Sequence, residues 1–432
     1  MSAPTGLPRL LAGLGSGGAA LSLGDHLGLH GPLPPAPRRR GPDHGLIDVV
    51  EASGLRGRGG GGFPTARKLA AVAAGSRRPV VVVNGAEGEP ASAKDRLLLA
   101  RAPHLVLDGA QLAARAVGAA EVVLVVSEAA PELAEGLAAA VDDRRRGGLD
   151  RVRPEVVSCP ERFVAGEESA LVALLNGGAP KPTFVPPRPY QRGVGGRATL
   201  IQNVETLAHL ALIARHGAGW FRRVGTESEP GSTLVTLGGA VARPGLYEIA
   251  RGTPMSALLA GVGGATGEVQ AYLTGGYGGT WVPAAAARDV GLCDEALQTI
   301  GGTLGPGVVV VLPEDACGLA ETARLASYLA RESAGQCGPC VYGLADIDAA
   351  LAQVASGRAG SGVVSQLLAW TSQVTGRGAC HHPDGAARLV ESALRVFRGD
   401  LAAHVHGHPC PGTRRPPVLA VPGQLASSGG TR

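Results

Sequence analysis

The chain has 432 residues, of which 45% are apolar, 18% charged and 3% aromatic, with a formal net charge of +4. That length exceeds one ordinary core and predicts about two to four domains. The apolar content excludes wholesale disorder. The scarcity of aromatics, and of basic blocks beyond Arg38-Arg39-Arg40 and Arg144-Arg145-Arg146, argues against nucleic-acid binding.

No apolar run reaches the roughly 18 residues needed to span a bilayer. Residues 1–23 lack the basic n-region of a signal peptide. The expected location is therefore cytoplasmic, where thiols stay reduced. Seven cysteines, at 159, 293, 317, 337, 340, 380 and 410, fit no disulfide framework. Lysine occurs only at 68, 94 and 181 among 40 basic residues, a skew that reads as base composition.

In chain order, residues 1–44 form a Gly/Pro/Leu-rich arm. Ile47, Val50 and Leu55 suit a short helix face. A glycine run follows, then a helix over 65–74. Valine-rich runs at 79–84 and 121–127 read as strands buried on both faces, and 153–158 as a third. Helices over 103–117, 131–142 and 167–175 alternate with them, which predicts a parallel sheet covered on both sides. This α/β domain spans 45–217. Residues 218–304 carry short strands at 234–237, 245–249 and 271–274 and a helix at 255–261, an α+β module. Over 305–405, apolar faces recur: Leu325, Tyr328 and Leu329; Ile347, Leu351 and Val354; Val364, Leu367 and Leu368; Leu389, Ala393, Leu394 and Phe397. Four helices with short loops predict a bundle. Residues 406–432 are expected to be a frayed tail.

Four segments have the composition of a ligand site. Gly57-Arg58-Gly59-Gly60-Gly61-Gly62-Phe63-Pro64 matches GxGxxG but follows a helix rather than a strand, which disfavours an ordinary dinucleotide fingerprint. What survives is a loop whose backbone N–H groups approach phosphate, with a helix start and Lys68 just beyond. A flexible linker would look the same. Asn84-Gly85-Ala86-Glu87-Gly88-Glu89 ends a parallel strand, where such sheets bind ligands; a polar loop with solvated glutamates is the bland alternative. Phe163-Val164-Ala165-Gly166-Glu167-Glu168 opens a helix, where acids also serve the helix dipole. Gln202-Asn203-Val204-Glu205-Thr206 precedes another, where amide and hydroxyl groups also serve as caps.

In this order and spacing the four segments resemble the family of the FMN- and NADH-binding 51-kDa flavoprotein of respiratory complex I. That family also contains components of soluble NAD-reducing hydrogenases and formate dehydrogenases. The resemblance covers about residues 45–410. It implies a Rossmann-like FMN/NADH domain, a ubiquitin-like β-grasp (SLBB) domain around Gly239 and Arg243-Pro244-Gly245-Leu246-Tyr247, and a C-terminal four-helix iron–sulfur bundle. It further implies that Gly57, Arg58, Gly59 and Gly60 wrap the flavin phosphate and that Lys68 lies beside the isoalloxazine. Asn84 and Glu87 would contact FMN, Glu89 would bind NADH, and Gly166, Glu167 and Glu168 would border the cofactors. Glu168 would stand on the nicotinamide side, with Asn203 and Thr206 completing the flavin site and Phe63 near the adenine. Glu89 and Glu168 are the expected catalytic pair.

The chain departs from the family at several positions. Ala86 stands where the family has an aspartate, and Phe163 replaces a tyrosine. Arg188 in Pro186-Pro187-Arg188-Pro189 replaces an aromatic, for which the nearby Phe184 is a substitute. Glu332-Ser333-Ala334-Gly335-Gln336-Cys337-Gly338-Pro339-Cys340 has alanine at the family's first cysteine, and Cys380 stands at the fourth. A 4Fe–4S cluster takes four thiolates. The resemblance therefore implies one held by Cys337, Cys340 and Cys380 and completed by His381, His382 or a small exogenous ligand. A 3Fe–4S cluster or zinc, or a vestigial site, are the alternatives. The remaining cysteines read as small buried hydrophobes or inert thiols, and His404, His406 and His408 as exposed non-ligands. The expected reaction is NADH to FMN to iron–sulfur centre to a ferredoxin-like or thioredoxin-like iron–sulfur protein within a hetero-oligomer. A cluster-less diaphorase and a non-enzymatic binding relative are the rivals.

Overall fold

The computed structural model describes residues 6–15, 17–35, 41–75 and 78–423, so the Arg38-Arg39-Arg40 block lies outside the described residues. The architecture is mixed α/β. Two compact units emerge: residues 1–88, 93–235 and 246–253, and residues 89–92, 236–245 and 254–432. Among the described residues no helix is long and apolar enough to cross a membrane.

The first unit is built on four strands: β1 (Val80–Gly85), β2 (Glu121–Ser127), β3 (Pro154–Cys159) and β4 (Thr199–Asn203). All pair in parallel, in the order β3-β2-β1-β4. The consecutive valines of β1 alternate between two cores. Val81 and Val83 join Leu124 and Leu200 on one face, and Val80 and Val82 join Val123 and Ile201 on the other. A strand buried on both faces has no polar side to show, hence the unbroken apolar run. The helices Pro103–Val117 and Val204–His216 pack closely, because any side chain at Gly109 would collide with the Leu207 carbonyl. Described residues of the N-terminal arm lie on this unit. Arg9 donates to the carbonyls of Phe221 and Trp220, and the amides of Arg9, Leu10 and Leu11 donate to Glu248.

Strand β4 and the helix Lys94–Arg101 are additions to the expected elements. The strand β5 (Ser232–Gly239) begins in the first unit, to which most of β6 (Gly245–Ala250) also belongs. In the second unit, the end of β5 pairs in parallel with β9 (Val308–Pro313). Strand β7 (Val269–Thr274) is antiparallel to both β9 and β8 (Thr280–Pro283). The helices Gly318–Arg331, Leu344–Ala355, Val363–Val374, His382–Val396 and Arg398–Val405 follow. Trp281 is buried edge-on to Phe397, and its Nε1 donates to Thr322 Oγ1 at 2.9 Å.

Beyond these additions, the structure differs from expectation at one helix face and in the tail. The helix Val363–Val374 buries Val363, Leu367, Thr371 and Val374, leaving Leu368 47% exposed, because adjacent apolar pairs offered two possible faces. The C-terminal tail is held down over its described part. Glu321 accepts the amides of Val418 and Leu419, Arg324 donates to the Leu419 carbonyl, and Tyr277 donates to Ala420 O at 2.7 Å.

A buried polar cluster braces the first unit. Asp108 accepts from His26 Nε2 at 2.7 Å, from Arg144 at 2.7 Å and from Arg215. Nearby, burial and then the Arg144 and His26 charges lower His104 to about 4. Burial and then His26 lower His30 to about 4. Both imidazoles are therefore neutral in the fold where the unfolded chain, with pKa near 6.5, takes up protons. Folding stability is expected to fall as pH drops from about 6.5 towards 4, and His104→Gln should flatten that slope in denaturant titrations across the window. An unchanged slope would show that His104 is not held neutral.

Candidate active site

Strand order places the site. Chain order runs from β1 outward to β2 and β3, and β4 then returns to the other side of β1. The crevice at the carboxyl ends of β1 and β4 is the switch point where such sheets take ligands. Asn84 and Asn203 are register partners there.

Three further segments converge on these two ends. In the glycine loop, the Gly57 amide donates to Phe63 O at 2.9 Å and the Arg58 amide to Thr206 Oγ1 at 2.9 Å. A Cβ at Gly59 would meet that of Asn203 at 3.3 Å, so the loop lies directly on the end of β4. Gly60 and Gly62 take φ of 101° and 58°, conformations glycine adopts without strain. The helix Thr65–Ala73 opens just after and carries Lys68, whose Nζ donates to Ile201 O at 2.7 Å and pairs with Glu168. From β1, Asn84 Nδ2 donates to Gly166 O at 2.8 Å. Gly88 runs so close to the Phe163 carbonyl that no side chain would fit.

Several anticipated side chains have structural work. The two carboxylate oxygens of Glu87 accept the amides of Asp95 and Arg96, both at 2.9 Å, capping the helix Lys94–Arg101. Glu167 caps the helix Glu168–Leu175 by accepting from Ser169 and Ala170. Asn203 caps the helix Val204–His216. The Arg58 guanidinium is buried against Ser232 O at 3.1 Å and lies 3.9 Å from Glu205, so only the backbone of Arg58 faces the loop side. Phe63 is 54% exposed on the loop. Glu89 falls with the second unit, where it accepts the Tyr277 amide at 2.9 Å.

Sequence reasoning missed the charged centre beneath the site. Lys94 is buried, 2.8 Å from Asp95, 3.2 Å from Glu205 and 3.2 Å from Asn203 Oδ1. Burial works against its charge, but Asp95 and Glu205 outweigh that and hold its pKa above the ordinary lysine value. Burial pushes Asp95 up to about 6, against the pull of Lys94. Asn203 Nδ2 donates to Asp95 at 2.6 Å, so this cluster fixes the amide that ends β4. The available signal was the lysine count: two of the three lysines of an arginine-dominated chain lie here.

The loop fits a phosphate. Gly57 and Arg58 spend their amides inside the protein, whereas those of Gly59, Gly60, Gly61 and Gly62 donate no hydrogen bond among the described residues. A Cβ at Gly61 or Gly62 would meet nothing within 4 Å. Successive unpaired amides beside a helix start and a lysine form an anion nest.

In the second unit Cys340 is buried and Cys337 and Cys380 are partly exposed. Burial raises the Cys340 thiol, and the neighbouring Cys337 and Cys380 add to that. Cys340 lies in a single wide turn, Pro339–Gly343. His382 is buried with Nε2 bonded to Leu329 O at 2.7 Å, while His381 is exposed with Nδ1 on Asp384 at 2.8 Å.

Two family models match the chain: the Nuo51 FMN-binding domain over residues 50–212 and the NADH-ubiquinone oxidoreductase-F iron-sulfur binding region over 320–404. The convergent segments of the first unit lie inside the first match and the three cysteines inside the second. The fold and site thus define a flavoprotein component with an iron–sulfur region. The chain is 34% identical to the F-type component of NADH-quinone oxidoreductase of Mycobacterium bovis over 88% of its length and 89% of the relative's. It is 30% identical to the second such component of Rhizobium meliloti over 85% and 90%. It belongs to the family of NADH-quinone oxidoreductase F-type components. A crystal structure of NAD+-reducing NiFe-hydrogenase in the H2-reduced state matches with a TM-score of 0.77 at 31% identity, over 83% of this chain. The chain spans 62% of that hydrogenase chain.

Replacing Lys94 with methionine would leave Asp95 buried without its cation and Glu205 with only the Arg58 guanidinium, 3.9 Å away. Lys94→Met is expected to cost about 3–5 kcal/mol of unfolding free energy, read by chemical denaturation. A loss below about 1 kcal/mol would contradict the assignment of Lys94 as their counter-ion.

Proposed function

We propose that the chain is an FMN-dependent NADH dehydrogenase that passes electrons through an iron–sulfur centre to a protein acceptor. The observation that carries this reading is the nest of unpaired glycine amides beside Lys68, at the switch point where Asn84 and Asn203 lie side by side. Bound there, FMN would supply the conversion of a hydride's two electrons into single-electron transfers.

The chain's own residues bind and orient. Gly59 and Gly60, with Gly61 and Gly62, offer their amides to the phosphate, while Gly57 and Arg58, whose amides bond Phe63 O and Thr206 Oγ1, hold the base of the loop. Lys68, held by Ile201 O and Glu168, sets a positive charge beside the isoalloxazine. Asn84 fixes the Gly166 turn, and Asn203 and Thr206 anchor the loop. Glu87 and Glu167 act through the helices they cap. Glu168, whose side chain is 43% exposed, faces the nicotinamide, Glu89 contributes to NADH binding, and Phe63 offers a face to the adenine.

Cys337, Cys340 and Cys380 supply three thiolates for a 4Fe–4S cluster. With Ala334 in place of the family's first cysteine, His381, His382 or a small exogenous ligand would complete the set. His381 Nδ1 pairs with Asp384 and His382 Nε2 donates to Leu329 O, and each bond is the kind of support that a ligating imidazole uses. The strands β5, β7 and β8 with the helix Met255–Gly261 support an SLBB-like module over 218–304. The helices from Gly318 to Val405 support an iron–sulfur bundle. A small ferredoxin-like or thioredoxin-like iron–sulfur protein, within a cytoplasmic hetero-oligomer, is the natural acceptor.

Lys68→Ala removes the cation beside the flavin and is expected to weaken FMN binding about tenfold in a fluorescence-quenching titration of flavin-stripped protein. Unchanged affinity would remove Lys68 from the site. Parent protein that takes up no FMN at all would overturn the proposal.

A further inference from the structure

A second set of metal-type side chains lies in the second unit, apart from the three cysteines already described. Cys317, His404 and Cys410 bring their ligand atoms within 4.8 Å of one another. By sequence both cysteines read as inert and His404 as exposed. The structure corrects the histidine: it is 0% exposed, on the last turns of the helix Arg398–Val405.

The arrangement has what a metal site needs. His404 Nδ1 lies 3.0 Å from the Val354 carbonyl, so it carries the proton and leaves the Nε2 lone pair facing the sulfurs. This backbone support for the distal nitrogen is the usual outer shell of a ligating histidine. Nε2 stands 3.7 Å from Cys317 Sγ, close to the spacing between two ligands of one tetrahedral ion. Cys317 Sγ also accepts the Ala320 amide at 3.3 Å, which fixes the sulfur at the start of the helix. Cys410 is delivered by a close backbone approach, since a Cβ at Gly412 would meet the Cys317 amide nitrogen at 2.6 Å.

We propose that Cys317, His404 and Cys410 bind one zinc ion, which fastens the C-terminal tail to the start of the helix Gly318–Arg331. Two thiolates and an imidazole select a borderline-soft, tetrahedral cation. Binding releases the two thiol protons and leaves a fourth position for water. The Cys410 amide now donates to Nε2 at 2.9 Å. Zinc takes that lone pair, and the loss of one hydrogen bond is small beside the binding free energy of a thiolate–imidazole zinc site. The tail beyond is held by Glu321, Arg324 and Tyr277, and Arg415 pairs with Asp315. The ion would lock the chain between the helix and these contacts.

The test is elemental analysis of the full-length chain, reconstituted anaerobically with zinc under reducing conditions and desalted. About one zinc per chain is expected in the parent and in Cys337→Ala, which separates this ion from the iron–sulfur site. Cys410→Ser should lower zinc retention roughly tenfold or more. Cobalt substitution of the parent should give thiolate-to-cobalt absorption, a readout that needs no variant. Chelation should open trypsin cleavage after Arg414. Parent protein without zinc or cobalt bands, zinc unchanged in Cys410→Ser, or a Cys317–Cys410 disulfide in the reduced preparation would each overturn the proposal.

Discussion

A parallel strand flanked by neighbours that the chain reaches in opposite directions leaves a gap above its carboxyl end. The loops that leave the neighbouring strands turn away from each other there. β1 is in that position, with β2 on one side and β4 on the other. Everything placed in the candidate site follows from it. The glycine loop rests on β4 through Asn203 and Thr206, the helix bearing Lys68 is tied to β4 through Ile201, and the Gly166 turn is tied to β1 through Asn84. If β4 paired elsewhere, the loop would lose its floor and the lysine its anchor.

Beneath this gap the unit maintains a buried charge. Lys94 sits between Asp95 and Glu205, and Asp95 in turn holds the Asn203 amide. A buried pair of this kind adds little net stability, because desolvation offsets the Coulomb gain. Its value lies in orientation: the amide that ends β4 has one conformation. Glu87 and Glu167 act similarly on neighbouring helices, fixing their starts and so the loops that precede them. Carboxylates expected at the ligand are thus partly spent in holding the frame that faces it.

Much of this was legible in the chain. The valine runs of β1 and β2 could be nothing but doubly buried strands, and the four ligand-type segments announced themselves by composition. β4 was not legible, since Thr199-Leu200-Ile201 is short and runs straight into the polar residues that serve the site. The burial of Lys94 and Asp95 was not legible, because it is set by partners more than 100 residues away, Asn203 and Glu205 among them. The helix Val363–Val374 had two apolar faces one residue apart, and periodicity did not choose between them. Cys317 and His404 are 87 residues apart, beyond any local spacing rule.

The central claim is that the first unit cradles a flavin that a pyridine nucleotide reduces. The direct test is the visible absorption spectrum of anaerobically purified, FMN-reconstituted protein, recorded before and after stoichiometric NADH. The account predicts a bound flavin band that bleaches within the mixing time, over a broad iron–sulfur background that also falls. A flavin that is absent, or that stays oxidised in the presence of NADH, would contradict it.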